Sequence, residues 1–406
     1  MPPCRWRLTL NPILEFGETK ETMIKKICLT AGLGLLFFLV LEGFCSGLFV
    51  AYQFLSPHEQ RTLSAASVQY DQDLGWVSVP NFYDKNYYAP GIYLRTNSRG
   101  FRASNDFAET VPPGKLRIIC SGDSQTFGDG VDNDNAWCQR LESLDDRFET
   151  VNTAESGYGL DQMYLKYKRD ETTLDHDVHI FAFVADDFRR MRLTNLVGYA
   201  KPELKLRNGE LATDNVPVPR SSQVSHWLAL KPHPLLQFRS AALVASILGR
   251  LQPARAKVVS NNSADEQHQI LDKMIEDLQG LNQRKNSVLV LVYLPRRSDY
   301  EPDASSLAWR EWIREESARR GFVFVDLVDD FQKLPVTMRD GMFIWPGSVQ
   351  YFAETPGHYN DQGHEYIARK LYAALTSIPQ IAQKLELHSE VRLAKQVPNS
   401  KGAGQP

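Results

Sequence analysis

Short apolar runs alternate with longer amphipathic stretches through most of this 406-residue chain, and this alternation constrains the fold more than any other feature. The apolar runs predict strands at 116–121, 149–153, 178–184, 287–293 and 322–327. The amphipathic stretches predict helices at 134–145, 159–173, 264–282, 305–319 and 361–377. Strands that alternate with helices form a parallel sheet, and strands apolar at every position are buried on both faces. The sequence therefore predicts a three-layer α/β/α domain at 116–380.

An apolar tract at residues 27–51 is about as long as the roughly 20 residues that a membrane-spanning helix needs. Glu42 is its one charged residue, and the tract is longer than the apolar core of a signal peptide. Two lysines, Lys25 and Lys26, precede it. The positive-inside bias then predicts one transmembrane anchor, with residues 1–26 in the cytoplasm and the main domain outside it.

Two segments interrupt the alternation of strands and helices. Residues 55–115 are rich in Tyr, Asn, Pro and Gly, which predicts an extracytoplasmic collar of short strands and loops. Residues 187–262 form an insertion after the third strand, in which Asn208-Gly209 predicts a hairpin and 235–251 an apolar helix. The insertion is equally consistent with a substrate-selecting lid and with simple packing against the membrane or the collar.

Composition excludes some classes of function. A net charge of −3 argues against nucleic-acid binding. Five cysteines, two of them inside the apolar tract, do not form a disulfide framework. Cys120 and Cys138 are able to pair outside the membrane, but we expect Cys120 to remain a buried strand thiol. The chain becomes polar from Glu386, which predicts a disordered tail at 386–406.

The first predicted strand ends in a tight turn, Ser121-Gly122-Asp123-Ser124. A serine at this point lies at the carboxyl edge of the sheet, where open α/β folds bind their ligands. A serine hydroxyl becomes a nucleophile only with a base to take its proton and donors to stabilise the oxyanion. Ser124 is therefore the candidate nucleophile, and the base should come from another loop at the same edge.

Two of the nine histidines, His358 and His364, lie at the junction with the last predicted helix. Asn360 or Asp361 is a suitable N-cap for that helix. In this phase His364 falls on the apolar, inward face, which is typical of a packed histidine. His358 precedes the helix, in a loop that can reach over the sheet edge, so we prefer His358 as the base.

Two sequence blocks resemble the SGNH (GDSL-type) hydrolases: GDSQTFG at 122–128 and HYNDQGHEYIA at 358–368. The resemblance spans about 116–377 and excludes the insertion. It implies a flavodoxin-like fold and the activity of an esterase or carbohydrate deacetylase, without metal or cofactor. The family's catalytic histidine comes first in its block, which also favours His358. Collar residues 74–76 and 97–102 are similar to those of bacterial membrane-anchored members, implying a periplasmic location.

The chain departs from the family in the acid of its triad. The family commonly places an aspartate three residues before the histidine, and Thr355 stands there in this chain. Glu354 is the candidate replacement, unless a backbone carbonyl orients the imidazole of a dyad. Asp361 and His364 match the family's Asp-x-x-His spacing and form the alternative acid–base pair.

A second departure concerns the oxyanion site. The resemblance implies backbone donors from Ser124 and Gly157, and a third donor from an asparagine whose place is taken by Asp186. An ionised Asp186 would repel the oxyanion, and losing one donor typically costs about 2.7–4 kcal/mol. Activity should then be weak or the substrate unusual, unless burial keeps Asp186 protonated.

These residues predict a membrane-anchored serine esterase that acts on O-acyl groups, most simply O-acetyl groups, of an extracytoplasmic glycan or lipid. An O-acyltransferase would share the same serine and the same first half-reaction. A non-catalytic glycan-binding or assembly protein that retains the fold is the alternative that Thr355 and Asp186 favour.

Overall fold

The computed structural model describes residues 20–55, 67–196, 199–220, 261–300, 306–345 and 357–396. Helix α1 (Lys20–Leu55) belongs to a different compact unit from the strands. Within it, Met23–Gly47 is long and apolar enough to cross a membrane. The predicted apolar tract is thus helical along its whole length, as a membrane span or a signal sequence requires.

Two antiparallel hairpins open the second unit. Strand β1 (Val68–Asp71) pairs with β2 (Gly75–Ser78), and β3 (Tyr83–Ala89) pairs with β4 (Ile92–Arg95). A small apolar cluster joins the second hairpin to the loops of the sheet: Tyr88, Leu94, Phe127 and Ala154.

The remaining strands are β5 (Leu116–Ser121), β6 (Phe148–Asn152), β7 (Val178–Phe183), β8 (Asn195–Leu196), β9 (Tyr199–Ala200), β10 (Glu203–Arg207), β11 (Glu210–Asp214), β12 (Val288–Tyr293) and β13 (Val323–Asp326). The remaining helices are α2 (Ser124–Phe127), α3 (Trp137–Leu144), α4 (Leu160–Arg169), α5 (Ala185–Arg190), α6 (Asn261–Arg284), α7 (Leu307–Arg320), α8 (Val328–Gln332), α9 (Val336–Asp340), α10 (Asp361–Ser377) and α11 (Pro379–Gln396).

One parallel sheet carries the fold, with strand order β13-β12-β7-β5-β6. Its five strands are those predicted from the apolar runs, and each end agrees to within one residue. The sequence could place these strands because strands covered on both faces need apolar residues at consecutive positions.

The core lies in two layers, because successive side chains of a strand point to opposite faces of the sheet. Ile119, Phe181 and Leu291 face one layer, which contains apolar residues of α4, α6 and α7. Ile118 and Ile180 face the other, which contains apolar residues of α3, α10 and α11. The predicted three-layer α/β/α architecture is confirmed.

The described part of the insertion contains the predicted hairpin, β10–β11. Asn208 and Gly209 form its two-residue turn with φ values of +54° and +83°, which these two residue types tolerate best. Leu204 is buried against the core layer of α6. The helix predicted at 235–251 lies outside the described residues.

Two expectations from the sequence are wrong. The tail predicted to be disordered at 386–406 is helical as far as Gln396, because Ile381 and Leu385 anchor α11 to the core, and its last residues, 397–406, lie outside the described part of the chain. Cys120 is not a free thiol but forms a disulfide with Cys138, with the two Cα atoms 6.4 Å apart. Cys120 is the penultimate residue of β5 and Cys138 is the second residue of α3, and only the packing of that helix on the sheet brings them together.

Candidate active site

Ser124 begins the single-turn helix α2 at the carboxyl edge of the sheet. The turn before it requires glycine, since a Cβ on Gly122 would lie 2.2 Å from Thr126 Oγ1. Asp123 caps the helix, and its Oδ1 accepts a hydrogen bond from the Gln125 N–H at 2.9 Å. The cap and the turn together fix the backbone that carries the Ser124 hydroxyl.

His358 lies beside this serine. Its Nε2 is 2.7 Å from Ser124 Oγ, although 234 residues separate the two in sequence. With the proton on Nδ1, Nε2 accepts the hydroxyl hydrogen, which is the arrangement that general-base activation of a serine needs. The structure therefore brings together the two residues that the sequence analysis prefers as nucleophile and base.

The loop that carries His358 is held from two sides. Ile344 accepts from the Gly357 N–H at 2.9 Å and donates to the His358 carbonyl at 2.7 Å. From the nucleophile side, the Gln125 amide donates to the Gly357 carbonyl and accepts from the Tyr359 N–H, both at 3.3 Å. Gln125 was missed in the sequence, where its only signal is its place directly after Ser124.

His364 and Asp361 do not form the alternative pair, since no hydrogen bond joins these two described residues. His364 is buried on the inner face of α10, where its Nδ1 accepts from the Trp137 N–H at 3.2 Å. Burial, with nearby Arg102 and Arg140, lowers the pKa of His364 well below its ordinary value. His364 is thus a neutral, packed histidine.

The predicted acid, Glu354, lies with Thr355 in residues 346–356, outside the described part of the chain. The partner that orients His358 therefore stays a prediction. Among the described residues, no group of three or more His, Cys, Asp or Glu side chains could hold a metal ion.

Gly157, the second predicted oxyanion donor, lies in the loop after β6 with a φ of +82°, which favours glycine. This loop is tied to the nucleophile turn, because the Glu155 N–H donates to the Gly122 carbonyl at 3.1 Å. Within the described ranges, neither the Ser124 N–H nor the Gly157 N–H donates to a protein acceptor. Among the residues that the structure describes, no backbone acceptor uses either donor.

Asp186, the residue at the place of the third donor, forms three ion pairs. Its carboxylate lies 3.0 Å from Arg296 Nη1, 3.3 Å from Arg189 Nε and 3.7 Å from Arg190 Nη2. Partial burial opposes ionisation, but Arg296, Arg190 and Arg189 outweigh it and lower the pKa of Asp186. Burial does not keep Asp186 protonated, so it is a paired carboxylate rather than a hydrogen-bond donor.

Arg102, a collar residue that the sequence analysis did not assign to the site, holds the loop behind Ser124. Its guanidinium is fully buried and donates to the carbonyls of Phe127 and Gly128 at 2.7 Å and of Val131 at 2.5 Å. The carbonyls at the end of α2 thus find a donor in a different segment of the chain. The collar residue stabilises the nucleophile turn from outside the sheet.

A family model described as the GDSL-like Lipase/Acylhydrolase family matches residues 120–366, which is more than half of the chain. A search of curated proteins found no match.

Solved structures similar to this chain have low identity and low TM-scores. One is a member of the lipolytic protein G-D-S-L family from Veillonella parvula DSM 2008, with 11% identity, a TM-score of 0.37, and coverage of 65% of this chain and 100% of that one. Another is the acetyl xylan esterase AlAXEase, with 14% identity, a TM-score of 0.35, and coverage of 64% and 100%. A third is TesA, with 12% identity, a TM-score of 0.33, and coverage of 65% and 99%.

Proposed function

The chain belongs to the GDSL-like lipase/acylhydrolase family, and on this premise we propose that it is a membrane-anchored serine esterase. Its substrate is an O-acyl group, with O-acetyl preferred, on an extracytoplasmic glycan or lipid. The observation that carries the proposal is the 2.7 Å contact between Ser124 Oγ and His358 Nε2 at the carboxyl edge of the sheet.

In the proposed reaction, Ser124 Oγ attacks the ester carbonyl while His358 Nε2 takes its proton. The N–H groups of Ser124 and Gly157 stabilise the oxyanion. The protonated imidazole then gives its proton to the leaving alcohol, and an acyl-serine remains. Water, activated by His358, releases the acid and restores the serine. Glu354 is the proposed residue that orients His358 through the cycle.

Location outside the cytoplasm is supported by two independent observations. The apolar helix at Met23–Gly47 has Lys25 and Lys26 near its N-terminal end, as the positive-inside bias expects. The Cys120–Cys138 disulfide belongs to the body that follows this helix, and disulfides persist mainly in oxidising compartments such as the bacterial periplasm. Peptide mapping of protein isolated from native membranes, with and without reduction, tests the second point. Recovery of both thiols free would contradict it.

The acyl-serine mechanism is tested with the purified full-length protein in detergent and a fluorophosphonate probe. We expect the wild type and the His364→Ala variant to form an adduct, whereas Ser124→Ala forms none and His358→Ala reacts on the order of 10⁴-fold or more slowly. An adduct that depends on His364 rather than His358 would overturn the choice of base. A wild type that forms no Ser124 adduct would overturn the esterase and favour the non-catalytic alternative, for which the ionised Asp186 is the supporting observation.

The acyl group and the acceptor are tested by turnover. We expect p-nitrophenyl acetate to be hydrolysed faster than p-nitrophenyl octanoate, because the proposed acyl group is acetyl. Addition of a sugar acceptor should not divert the acetyl group from water. Its appearance on the sugar instead of as acetate would identify an acyltransferase with the same serine.

A further inference from the structure

Arg190 connects its own helix, α5, to the two loops that carry the proposed oxyanion donors. It ends α5, and its side chain is 13% exposed. A single nitrogen, Nη1, lies 3.2 Å from Asp123 Oδ2, 3.2 Å from the Tyr158 carbonyl oxygen and 3.0 Å from Asp187 Oδ1. The three acceptors follow three neighbouring strands, β5, β6 and β7.

Two of these acceptors stand directly beside the proposed oxyanion donors. Asp123 precedes Ser124, and Tyr158 follows Gly157. Because one nitrogen, Arg190 Nη1, contacts both neighbours, it links the two loops and restrains the distance between the Ser124 N–H and the Gly157 N–H. Oxyanion stabilisation depends on such preorganised donors, since misplaced donors cannot reach the developing charge.

The backbone next to this contact is closely packed. A Cβ on Gly159 would lie 2.8 Å from the Met191 nitrogen and 2.9 Å from the Arg190 carbonyl carbon. The loop that carries Gly157 therefore approaches the end of α5 as closely as a glycine permits. This contact brings the Tyr158 carbonyl within reach of the guanidinium.

Three carboxyl groups lie within 3.7 Å of the Arg190 guanidinium: those of Asp187, Asp123 and Asp186. Burial raises the pKa of Asp123 and raises that of Asp187 well above the ordinary value, whereas Asp186 stays ionised beside Arg296. Burial opposes the charge on Arg190, but Asp187, Asp123 and Asp186 outweigh it and raise the pKa of Arg190. The guanidinium is thus a buried cation next to the carboxylate that occupies the place of a neutral donor.

We propose that Arg190 is a positioning residue of the oxyanion site: it holds the Ser124 and Gly157 N–H donors in register, and its charge offsets the Asp186 carboxylate. The proposal rests on the proposed esterase function. It explains how a chain with Asp186 in place of an amide donor retains a usable site, since the carboxylate is part of an arginine cluster rather than an isolated charge.

The test compares Arg190→Gln with Arg189→Gln, because both arginines pair with Asp186 but only Arg190 contacts Asp123 and Tyr158. With p-nitrophenyl acetate we expect Arg190→Gln to lower kcat by about 10²-fold, the scale of one lost oxyanion donor, with KM changed by less than about threefold. Arg189→Gln should lose less than about threefold in kcat. Adding Asp186→Asn to Arg190→Gln should recover about tenfold, a larger gain in kcat than Asp186→Asn gives in the wild type, where Arg190 already offsets the carboxylate.

Folding is monitored by near-UV circular dichroism and thermal unfolding for every variant. If Arg190→Gln does not fold, Arg190→Lys replaces it. We expect a loss of about tenfold, because an ammonium keeps the charge but cannot contact Asp123 and Asp186 through separate nitrogens as Nη1 and Nη2 do. A folded Arg190→Gln or Arg190→Lys as active as Arg189→Gln would overturn this inference alone. A wild type without Ser124-dependent reactivity would overturn the esterase and, with it, this inference.

Discussion

Two serine–histidine pairs, Ser124–His358 and Ser121–His179, lie close together, because their serines are three residues apart in sequence. The Ser124 Oγ–His358 Nε2 distance is 2.7 Å and the Ser121 Oγ–His179 Nε2 distance is 2.9 Å. Ser121 and His179 are fully buried, whereas His358 is half-buried at the sheet edge. A short hydroxyl–imidazole distance therefore does not by itself indicate a nucleophile.

The hydrogen bonds around the two imidazoles run in opposite directions. Ser121 Oγ donates to Glu171 Oε2, so it accepts from His179 Nε2–H. His179 Nδ1 in turn accepts from the Asn282 side-chain amide at 3.1 Å. In this tautomer His179 cannot remove a proton from Ser121, and burial lowers the pKa of His179 well below its ordinary value. The buried Ser121–His179 pair is therefore part of the core. The Ser124–His358 pair at the sheet edge has the arrangement that general-base activation of a serine needs.

The largest expected difference between the pairs is in turnover. Ser124→Ala should lower kcat for p-nitrophenyl acetate by a factor on the order of 10⁴ to 10⁶, because the acyl acceptor is removed. Its thermal unfolding should match that of the wild type within about 2 °C, since the imidazole partner of this hydroxyl, His358, is half-buried and can bond to water instead. Activity that persists in Ser124→Ala would show that another residue is the nucleophile.

The next largest effect concerns Glu171, the carboxyl group of the buried pair. Burial raises its pKa from 4.5 to about 8. Between these values the unfolded chain has lost the proton and the folded chain keeps it, so this group's stabilisation is full below about pH 4.5 and is lost as pH rises to 8. The total is a few kcal/mol, at about 1.4 kcal/mol per pKa unit. Glu171→Gln should remove this slope in urea unfolding between pH 5 and 8, and an unchanged slope would disprove the assignment.

Ser121→Ala is expected to have a smaller effect, and on stability rather than activity. Glu171 and His179 would lose the hydroxyl that they share, at a cost of about 1–3 kcal/mol for a buried group left unsatisfied. Urea unfolding measures this loss, and kcat with p-nitrophenyl acetate should stay within about threefold of the wild type. A loss of kcat as large as that of Ser124→Ala would remove the distinction between the two pairs.

Tyr167→Phe should produce the smallest change. The Tyr167 ring stacks on His179 with centroids 3.6 Å apart, and its hydroxyl lies 3.0 Å from His176 Nε2. Phenylalanine keeps the stack and loses one hydrogen bond, so we expect a loss of about 0.5–1.5 kcal/mol in unfolding free energy. Replacement by leucine, which also removes the stack, should cost more, and equal losses would show that the stack is unimportant.

The choice of His358 as the base shows how much local sequence patterns can predict. Helix phase alone favoured His358 over His364, because the apolar face of α10 and the cap at Asn360 fix which residues point inward. The structure agrees on both counts: Asn360 accepts from the Gly363 N–H at 3.1 Å, and His364 is 1% exposed. The acid could not be assigned in the same way, because Glu354 and Thr355 carry no periodic pattern.

By itself, the sequence determined the strands of the parallel sheet, five of the helices that cover them, the Asn208-Gly209 turn and the two residues that meet at the sheet edge. These features depend on side-chain periodicity and turn chemistry over a few neighbouring residues. Tertiary structure alone decided the Cys120–Cys138 disulfide, the arginines around Asp186 and the contact of Arg190 with Asp123, 67 residues away. The physical reason is that such contacts depend on which loops the sheet order brings side by side, and no local pattern encodes that order.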